Sequence, residues 1–406
     1  MHGVVTITKL SPVRVLVYLV VSGTAHLLAA RWLLAVSPWA RARRRRVLGV
    51  ALGLSTLAAL FRALSWIIPG AFLRSLTAAA TIELATVMIG GLFAGAFMLV
   101  TRVLERGVRA MAPGPKAEAA PNVSPHVSRR EAIERLAGAA AFGGSGLALG
   151  WGLVRGRHEF EVEEVVVRVA GWPKALEGYV IAQVSDVHVG PFVGDRELDE
   201  GFELVRRVRP DLVVATGDLV DFESSPIRHL ARRMLTAPAR VGAFSILGNH
   251  DHYAGAADVV SLAREGGLRI LCNEALVIRG GDGGGFALVG VDDLHGRSGR
   301  SPGFGGPDLG RATSALDPSL PRILLAHQPN YFREAAGRVA LQLSGHTHGG
   351  QINPGFRPAD LFMEFVHGRY ERQGSTLWVN RGFGVAGPPT RVMAPPEITK
   401  LVIVAA

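Results

Sequence analysis

Five short segments of the chain carry side chains that bind metal ions through nitrogen and oxygen. In chain order they are Asp186-Val187-His188, Gly217-Asp218, Gly248-Asn249-His250-Asp251, His327 and Gly345-His346-Thr347-His348. The sequence has one cysteine, Cys272, so a disulfide within the chain and a thiolate metal cluster are both excluded. Any metal must therefore use carboxylate, amide and imidazole ligands, a set that suits Mn, Fe or Zn.

Each segment follows a short apolar run, which predicts that it lies at the carboxyl end of a β-strand. The predicted strands are Val162–Val169, Tyr179–Val184, Leu212–Thr216, Ala243–Leu247, Arg269–Asn273, Phe286–Gly290, Ile323–Ala326, Ala340–Ser344, Leu377–Asn380 and Ile398–Val404. Amphipathic stretches such as Asp195–Val208 alternate with them, a rhythm typical of an α/β or α+β domain. Because sites in open sheets form at the carboxyl ends of strands, we expect the five segments to meet there.

The joint order of these segments resembles the calcineurin-like metallophosphoesterase family, whose signature is DxH, GD, GNH followed by D or E, H, and GHxH. The stretches TGDLVD, GNHD and SGHTHGGQ are similar to its membrane-attached bacterial branch in particular. The resemblance covers Val162–Ala406. It implies a four-layer αββα sandwich over residues 158–406 and the hydrolysis of phosphoesters with two divalent cations.

The same resemblance implies which residues bind the two cations. The first metal would be held by Asp186, His188 and His348, the second by Asn249, His327 and His346, and the bridge between them would be Asp218. Two metals ~3.5–4 Å apart neutralise the phosphoryl oxygens and supply a strong nucleophile at neutral pH, as phosphoester hydrolysis requires. A carboxylate suits the bridging position because its oxygens can serve both cations.

His250 and Asp251 follow the ligand Asn249 and are predicted to be catalytic. In the family this histidine meets the phosphate and protonates the leaving oxygen, and Asp251 beside it would orient the ring and raise its pKa. The residues expected to approach the substrate are Asn249, His250, Gly349 and Gln351. A supporting structural role stays open for His250, and a tight turn without substrate contact stays open for the glycines.

Other polar residues of this domain have simpler interpretations. Surface or core positions are expected for the remaining histidines, which are His158, His229, His252, His295 and His367. Asp292 and Asp293 follow a predicted strand, where a turn is favoured. Arg391, near the last strand, would either contact phosphate or close the domain.

The positive charge of the chain is concentrated in its first part. Residues 1–157 contain 19 Lys or Arg against 5 Asp or Glu, whereas residues 158–406 contain 25 against 29. An apolar fraction of 48% and a mean hydropathy of +0.26 exclude a disordered chain. The basic residues lie between long apolar stretches, where membrane topology explains them, so nucleic-acid binding is not expected.

Four apolar stretches are long enough to cross a membrane: Val15–Val36, Val47–Pro69, Leu76–Val100 and Leu136–Val154. At ~1.5 Å per residue each can span the ~30 Å of hydrocarbon in a bilayer. Arginines cluster between the first two spans, at residues 41–46, and between the last two, at residues 102–130, which predicts that both loops are cytoplasmic. The domain after residue 157 would then be extracytoplasmic, in a multi-pass protein of the cell membrane.

The transmembrane region, residues 1–110, is followed by residues 111–135, a predicted cytoplasmic linker rich in Pro and Ala. Its segment Ser128-Arg129-Arg130-Glu131-Ala132-Ile133 resembles a twin-arginine export signal, although Ala132 stands where such signals usually have Phe. Residues 136–154 are therefore either a fourth span or part of that signal. Within the spans, Arg62 and Glu83 lie at the same predicted depth, and a structural ion pair between them is expected.

The expected activity is metal-dependent hydrolysis of a phosphoester, with a metal-activated hydroxide as nucleophile and His250 as general acid. Its partners would be membrane lipid and a phosphoester substrate, which the membrane anchor makes plausible as a lipid-linked or cell-envelope compound. One alternative is an enzyme that cleaves a lipid-linked pyrophosphate such as a nucleotide-sugar lipid; another is a membrane sensor that only binds a phosphorylated ligand. The loops Asp221–Ile227 and His295–Asp308 are expected to determine substrate specificity.

Overall fold

The described residues of the N-terminal unit, Met1–Gly150, form helices. The computed structural model describes residues 12–65, 71–111, 129–281 and 284–406. The helices are α1 (Pro12–Val36), α2 (Pro38–Ala42), α3 (Arg44–Ser65), α4 (Ala71–Met111) and α5 (Arg129–Val154), the last of which continues into the second unit. Between α1 and α2 the chain breaks at Ser37, whose hydroxyl accepts the Ala40 N–H and caps α2, with Pro38 at its first position.

Three stretches of the described helices are long and apolar enough to cross a membrane: Leu16–Val36, Leu76–Gly107 and Ala132–His158. The predicted second span coincides with α3 as far as Ser65, and its remainder lies outside the described residues. The predicted linker also falls largely outside them, because residues 112–128 are not described, nor are the side chains of Arg129 and Arg130. The number of crossings and the twin-arginine-like signal therefore stay predictions.

Helix α4 is longer than the span predicted within it. It has 41 residues, which corresponds to a length of ~60 Å, about twice the hydrocarbon thickness. Arg102 and Arg106, which the sequence suggested were in a loop, lie on this helix. The basic end of α4 therefore continues beyond the stretch that a bilayer would cover.

Inside the N-terminal unit, Glu83 contacts His26. The Nε2 atom of His26 lies 2.8 Å from Oε1 of Glu83, and its Nδ1 atom lies 2.8 Å from the carbonyl oxygen of Ser22. His26 is buried, and its contact gives the Glu83 carboxylate a polar partner among apolar helices. The side chain of Arg62 is outside the described side chains, so its predicted pairing with Glu83 stays a prediction.

The second unit, Trp151–Ala406, contains two six-stranded sheets. The strands are β1 (Glu161–Val169), β2 (Tyr179–Val184), β3 (Leu212–Thr216), β4 (Gly242–Ile246), β5 (Arg269–Ile270), β6 (Glu274–Arg279), β7 (Gly285–Gly290), β8 (Arg322–Leu325), β9 (Leu341–Ser344), β10 (Gly368–Arg372), β11 (Ser375–Val379) and β12 (Glu397–Ala405). The order in the first sheet is β1-β12-β2-β3-β4-β5, and in the second it is β10-β11-β9-β8-β7-β6. Most neighbours are parallel; the antiparallel pairs are β12 with β2, β6 with β7, and β10 with β11.

Helices cover the outer faces of both sheets, which gives the predicted four layers. They are α6 (Asp195–Arg207), α7 (Ile227–Thr236), α8 (Asn249–Ala254), α9 (Ala256–Glu265), α10 (Leu309–Thr313) and α11 (Phe332–Ala335). Leu198 of α6 and Leu230 of α7 pack on the first sheet, and Leu309 of α10 packs on the second. Between the sheets, Leu212 and Leu343 belong to one fully buried apolar core. Successive residues of a strand thus pack alternately in the core between the sheets and in the core under the helices. The fold class predicted from the sequence is confirmed.

Two strands of the second sheet, β6 and β10, were not predicted. Both are edge strands in antiparallel pairs, and their side chains are mostly half-buried or exposed. Charged residues such as Glu371 and Arg372 interrupt their apolar pattern, as is common at sheet edges. The prediction therefore missed strands at the sheet edges, where partial exposure allows polar residues and weakens the apolar pattern.

Candidate metal centre

The seven predicted ligands all follow the carboxyl ends of strands and converge at one edge of the two sheets. Asp186 and His188 come after β2, Asp218 after β3, Asn249 after β4, His327 after β8, and His346 and His348 after β9. The first three of these strands belong to one sheet and the last two to the other. The site therefore lies where the loops of both sheets meet, as the strand pattern predicts.

Asp186, His188 and His348 form the first group of side chains able to share a cation. The two imidazole Nε2 atoms are 3.1 Å apart, and Nε2 of His348 lies 3.5 Å from Oδ1 of Asp186. All three residues are buried. Nitrogen and oxygen atoms that lie this close together can all bind one cation placed between them.

Asp218, His327 and His346 form the second group. Oδ2 of Asp218 lies 3.3 Å from Nε2 of His327, and Nδ1 of His346 lies 3.3 Å from the same imidazole nitrogen. The Nδ1–H of His327 donates to the carbonyl oxygen of Thr216, which turns Nε2 toward the carboxylate. Asp218 Oδ2 is also 3.6 Å from Nε2 of His188 in the first group, so one carboxylate oxygen faces both groups.

Buried polar atoms without a hydrogen-bond partner support a metal at this position. Among the described residues, Oδ1 of Asn249 and Nδ1 of His188 are buried and accept or donate no hydrogen bond. An unpaired buried acceptor costs ~1–3 kcal/mol, so its presence calls for a ligand. The Asn249 oxygen is a suitable atom to complete a shell of carboxylate and imidazole ligands, and the donor set as a whole fits a divalent cation.

Burial and neighbouring charges set the protonation of these ligands. Burial lowers the pKa of His188, and burial together with His188 and Arg391 holds the pKa of His348 well below its usual value. Burial alone would raise the pKa of Asp218, but the charge and the hydrogen bond of His327 outweigh it and hold that pKa well below its usual range. The first group thus presents neutral imidazoles, and Asp218 stays ionised, as cation binding requires.

Five of the predicted ligands adopt left-handed backbone conformations, which are unusual for residues with a side chain. The φ angles are 50° for Asp186 and His188, 51° for Asp218 and His348, and 73° for His346. Such a conformation costs roughly 1–2 kcal/mol per residue and is concentrated at functional sites. The backbone therefore turns sharply at each ligand, which aims side chains from adjacent positions at a common centre.

Two glycines of the motifs allow the loops to approach each other. A Cβ atom on Gly345 would lie 2.1 Å from Oδ2 of Asp186, and one on Gly248 would lie 2.2 Å from Oδ1 of Asp218. Neither distance is possible for a real side chain. The glycines before His346 and Asn249 are thus required by the packing of one ligand loop on another.

His250 is placed beside both groups but is paired with Asp221. Its Nδ1 atom lies 3.2 Å from Oδ1 and 3.1 Å from the carbonyl oxygen of Asp221, and its backbone N–H donates to Asp218. Its ring meets that of His188 edge to face at 4.5 Å. Burial lowers the pKa of His250, but the hydrogen bond to Asp221 and the charges of Asp218 and Asp221 raise it to about 9. Cations bound in the two groups would lower the pKa of His250.

The prediction that Asp251 orients the His250 ring is wrong. The Asp251 carboxylate accepts the backbone N–H groups of Gly248, Leu219 and Val220, while the contacts of the His250 ring nitrogen are to Asp221. It therefore holds the loop after β3, which carries Asp218, against the start of α8. The residue that sequence reasoning missed is Asp221, although the stretch TGDLVD contains it.

Gly349 and Gln351, predicted to approach the substrate, have structural contacts instead. The Gln351 amide donates to the carbonyl oxygens of Ala386 and Pro388 and accepts the Ala386 N–H, so it is fully engaged with one loop. Gly349 has φ 58°, and a Cβ there would lie 2.7 Å from the Arg381 side chain. The tight-turn alternative describes this segment better than substrate contact.

Arg391 closes the domain from within rather than facing the site. It is buried, and its guanidinium donates to the carbonyl oxygens of Gly382, Gly384 and Ala394. Its Nη2 atom also lies 3.3 Å from Nδ1 of His348, on the side of that ring away from the first group. Burial lowers the pKa of Arg391 to about 9. The residue therefore orients a metal ligand through a rigid loop.

We expect Arg391→Met to lower the free energy of unfolding by about 3 kcal/mol or more, because it leaves several buried carbonyl groups without donors. Chemical denaturation of the purified chain in detergent measures the change. Arg372→Met is the matched control, since this arginine is half-exposed and makes one distant ion pair with Glu364. A loss as small as that of the control would contradict the assigned role of Arg391.

Aromatic side chains flank His250 on its open side. The rings of Phe222 and Tyr253 each lie 5.2 Å from that of His250, and both side chains are substantially exposed. His295 meets the Tyr253 ring at 4.9 Å. Phe222 and His295 belong to the two loops predicted to determine specificity, and the structure places Tyr253 with them.

Two sheets that bring carboxylate, amide and imidazole side chains together at a shared edge form a candidate metal site in an α/β domain, and the comparisons give the family to which this arrangement belongs. The family model for calcineurin-like phosphoesterases matches residues 179–350. The chain belongs to the calcineurin-like metallophosphoesterase family. Members of this family hydrolyse phosphoesters with divalent metals, which is the activity the family assigns to this domain.

Individual relatives are similar over more than half of the chain. An uncharacterized metallophosphoesterase from Bacillus subtilis is 33% identical over 285 residues, which cover 67% of this chain and 96% of the relative. A transmembrane protein with metallophosphoesterase domain from Danio rerio is 35% identical over 264 residues, but the match spans only 59% of that protein. Among solved structures, a dimetal phosphatase from Danio rerio aligns with 14% identity and a TM-score of 0.35, over 51% of this chain and 88% of that one. The transmembrane relative and the apolar helices together support membrane association.

Proposed function

We propose that the domain is a dinuclear phosphoesterase in which Asp218 bridges two divalent cations. The observation that carries this proposal is the position of its Oδ2 atom, 3.6 Å from Nε2 of His188 and 3.3 Å from Nε2 of His327. Asp186, His188 and His348 would hold one cation, and Asn249, His327 and His346 the other. When bound, the pair of cations neutralises the phosphoryl oxygens and lowers the pKa of a water molecule.

The remaining chemical step is assigned to His250. A phosphoester breaks between phosphorus and the leaving oxygen, and that oxygen needs a proton when the leaving group is an alkoxide. The His250 ring stands beside both ligand groups, and the Asp221 carboxylate 3.2 Å from Nδ1 orients it and favours its protonated form. His250 would therefore hold the proton that the leaving oxygen takes.

A lipid-linked phosphoester or pyrophosphate is a second substrate class that one observation favours. Phe222 and Tyr253 are 40% and 47% exposed beside His250, so apolar surface adjoins the reacting groups. A simple sensor of phosphorylated ligands is less well supported, because every predicted ligand of a catalytic metal pair is present. Mono-, di- and pyrophosphate esters are the classes to be compared.

The test uses the full chain, purified in detergent, stripped of metal with a chelator and reloaded with Mn, Fe or Zn. Hydrolysis of phosphomonoesters, phosphodiesters and lipid pyrophosphates is measured beside the metal content of each sample. We expect activity to return with two metals per chain and to depend on the metal supplied. Activity that survives complete removal of metal would contradict the proposal.

We also propose that the catalytic domain is extracytoplasmic, and cysteine labelling tests this. Cys272 is first replaced by Ser; burial raises the pKa of its thiol to about 12, so the native residue reacts poorly in any case. In that background, Ala175→Cys on the exposed surface of the domain should react with an impermeant thiol reagent in intact cells, and Ala42→Cys in exposed α2 should not. Both should react once the cells are opened.

Labelling of Ala42→Cys but not Ala175→Cys in intact cells would place the domain in the cytoplasm. The twin-arginine interpretation would then fail, and a substrate on the cytoplasmic face of the membrane would be favoured. Equal labelling of the two positions in intact cells would contradict any arrangement that separates them by a membrane.

A further inference from the structure

Two loops beside the metal ligand His348 expose an unusual number of large apolar side chains. They are Phe356, Leu361, Phe362, Met363 and Met393, which are 51%, 71%, 87%, 43% and 73% exposed. We call these five residues the apolar rim. Single exposed apolar residues are normal, but a concentration of them in adjacent loops indicates a surface that contacts a partner.

The loops that carry the apolar rim are tied to each other and to the metal site. Ile352 pairs with Val392 in a β-bridge, and the Asn353 side chain donates to the carbonyl oxygens of Gly349 and Met393. Arg391, two residues before Met393, orients His348. The apolar rim is therefore an ordered part of the edge that bears the metal site.

The same loop is joined to the last turn of α5. A Cβ atom on Gly152 would lie 2.2 Å from Oγ1 of Thr390 and 2.4 Å from the carbonyl oxygen of Arg391, and the Arg391 N–H donates to the carbonyl oxygen of Gly152. This close packing leaves no room for a side chain at position 152. Met393 thus lies near the point where α5 enters the domain.

The end of α5 has the features of a helix leaving a bilayer. Residues Ala132–His158 are long and apolar enough to cross a membrane. Trp151 is 59% exposed near its end, and the Arg155 guanidinium lies 5.9 Å from the Trp151 ring. Tryptophan and arginine at the end of an apolar helix are typical of the membrane interface. The loop that carries Met393 is therefore fixed at interfacial depth if α5 crosses.

We propose that the apolar rim inserts into the headgroup region of the bilayer that α5 crosses, so that the metal site opens close to the membrane surface. The partner is the lipid surface itself. Apolar side chains are stabilised when they leave water for the membrane interface. Because α5 would tether the domain to the bilayer, the apolar rim would be held near lipid and could insert with fewer contacts than an untethered loop needs. The proposal depends on α5 crossing the membrane and does not depend on hydrolysis.

The test measures lipid contact at single positions of the full chain, with Cys272 replaced by Ser. Phe362→Cys and, separately, Met393→Cys are labelled with an environment-sensitive fluorophore, and the protein is reconstituted in vesicles of phosphatidylcholine and phosphatidylglycerol. Lipids with a spin label near the headgroup serve as quenchers. The matched control is Leu235→Cys, 42% exposed at the end of α7, which leads to the amino end of β4 and so to the edge opposite the metal site.

We expect several-fold stronger quenching at positions 362 and 393 than at position 235, with a blue shift of emission at the first two. Equal quenching at all three positions would overturn the proposal. A label that is shielded at 362 equally in vesicles and in detergent, without response to the spin-labelled lipid, would indicate a protein partner and would also overturn it. Because Phe362 and Met393 are exposed, the variants should keep the thermal stability of the parent, and the result is independent of whether the enzyme turns over.

Discussion

Asp218→Asn should remove most activity and lower the metal content toward one ion or none. The substitution keeps the shape of the side chain, and Asn tolerates the φ of 51° at this position. It removes the negative charge that faces both ligand groups, so two dications would repel each other without compensation. Bound metal stabilises the transition state of phosphoester hydrolysis by several kcal/mol. Because each ~1.4 kcal/mol changes a rate tenfold, we expect kcat/KM to fall roughly 10³-fold.

The matched control for this variant is Asp293→Asn. Asp293 is also buried, but its carboxylate accepts from Gln328 and the His295 N–H and belongs to neither ligand group. Metal content, kcat/KM and the melting temperature are measured for both variants. If Asp218→Asn keeps two metals and near-normal turnover, Asp218 is not the bridge.

His250→Ala should separate two kinds of substrate by their leaving groups. A general acid contributes typically ~10²–10⁴ in rate when the departing oxygen needs a proton, as an alkoxide does. A nitrophenolate leaves with much less help. We expect His250→Ala to keep its metals, to lose most activity on alkyl phosphoesters and to retain considerably more on nitrophenyl esters, with kcat/KM compared for both.

Asp221 provides a companion test because it is the carboxylate that contacts the His250 ring. Asp221→Asn should produce the same leaving-group pattern in weaker form, whereas Asp251→Asn should mainly lower stability, since Asp251 holds backbone N–H groups. Equal losses on both ester types in His250→Ala would mean that this residue positions the phosphoryl group. Loss of metal in the same variant would mean that it supports the ligand shell.

The ligand residues could be predicted from the sequence for two reasons. Only a few residue types bind such metals, and the apolar runs show where the strands end and the ligands follow. β2 and β3 begin and end where the apolar runs do, and Asp186 and Asp218 each come two residues after the end of a strand. Asp251 shows the limit of such reasoning. Its neighbour in sequence is His250, but the helical turn that begins at Asn249 points consecutive side chains in different directions, and Asp221 from another loop supplies the contact.

Backbone conformation and helix length were less accessible. Nothing in the residue types at His188 or His348 signals a left-handed φ, because the surrounding packing imposes it. Similarly, the apolar stretch that predicts a span in α4 ends near Val100, while the helix continues to Met111 on residues that also favour helix. Hydropathy therefore predicts the bounds of the segment that lipid can cover, but it does not predict where the helix itself ends.

The position of β12 in the first sheet has a consequence for biosynthesis. β12 lies between β1 and β2, yet roughly 200 residues separate β2 from it, which at ~5–20 residues per second take about 10–40 s to translate. During that interval β2 exposes an unpaired edge that can associate with other chains. Helices α1–α5 emerge from the ribosome well before this edge is closed. The sheet that positions Asp186 and His188 is therefore completed only after the last strand has been translated, so cations can be captured only in the last stage of maturation.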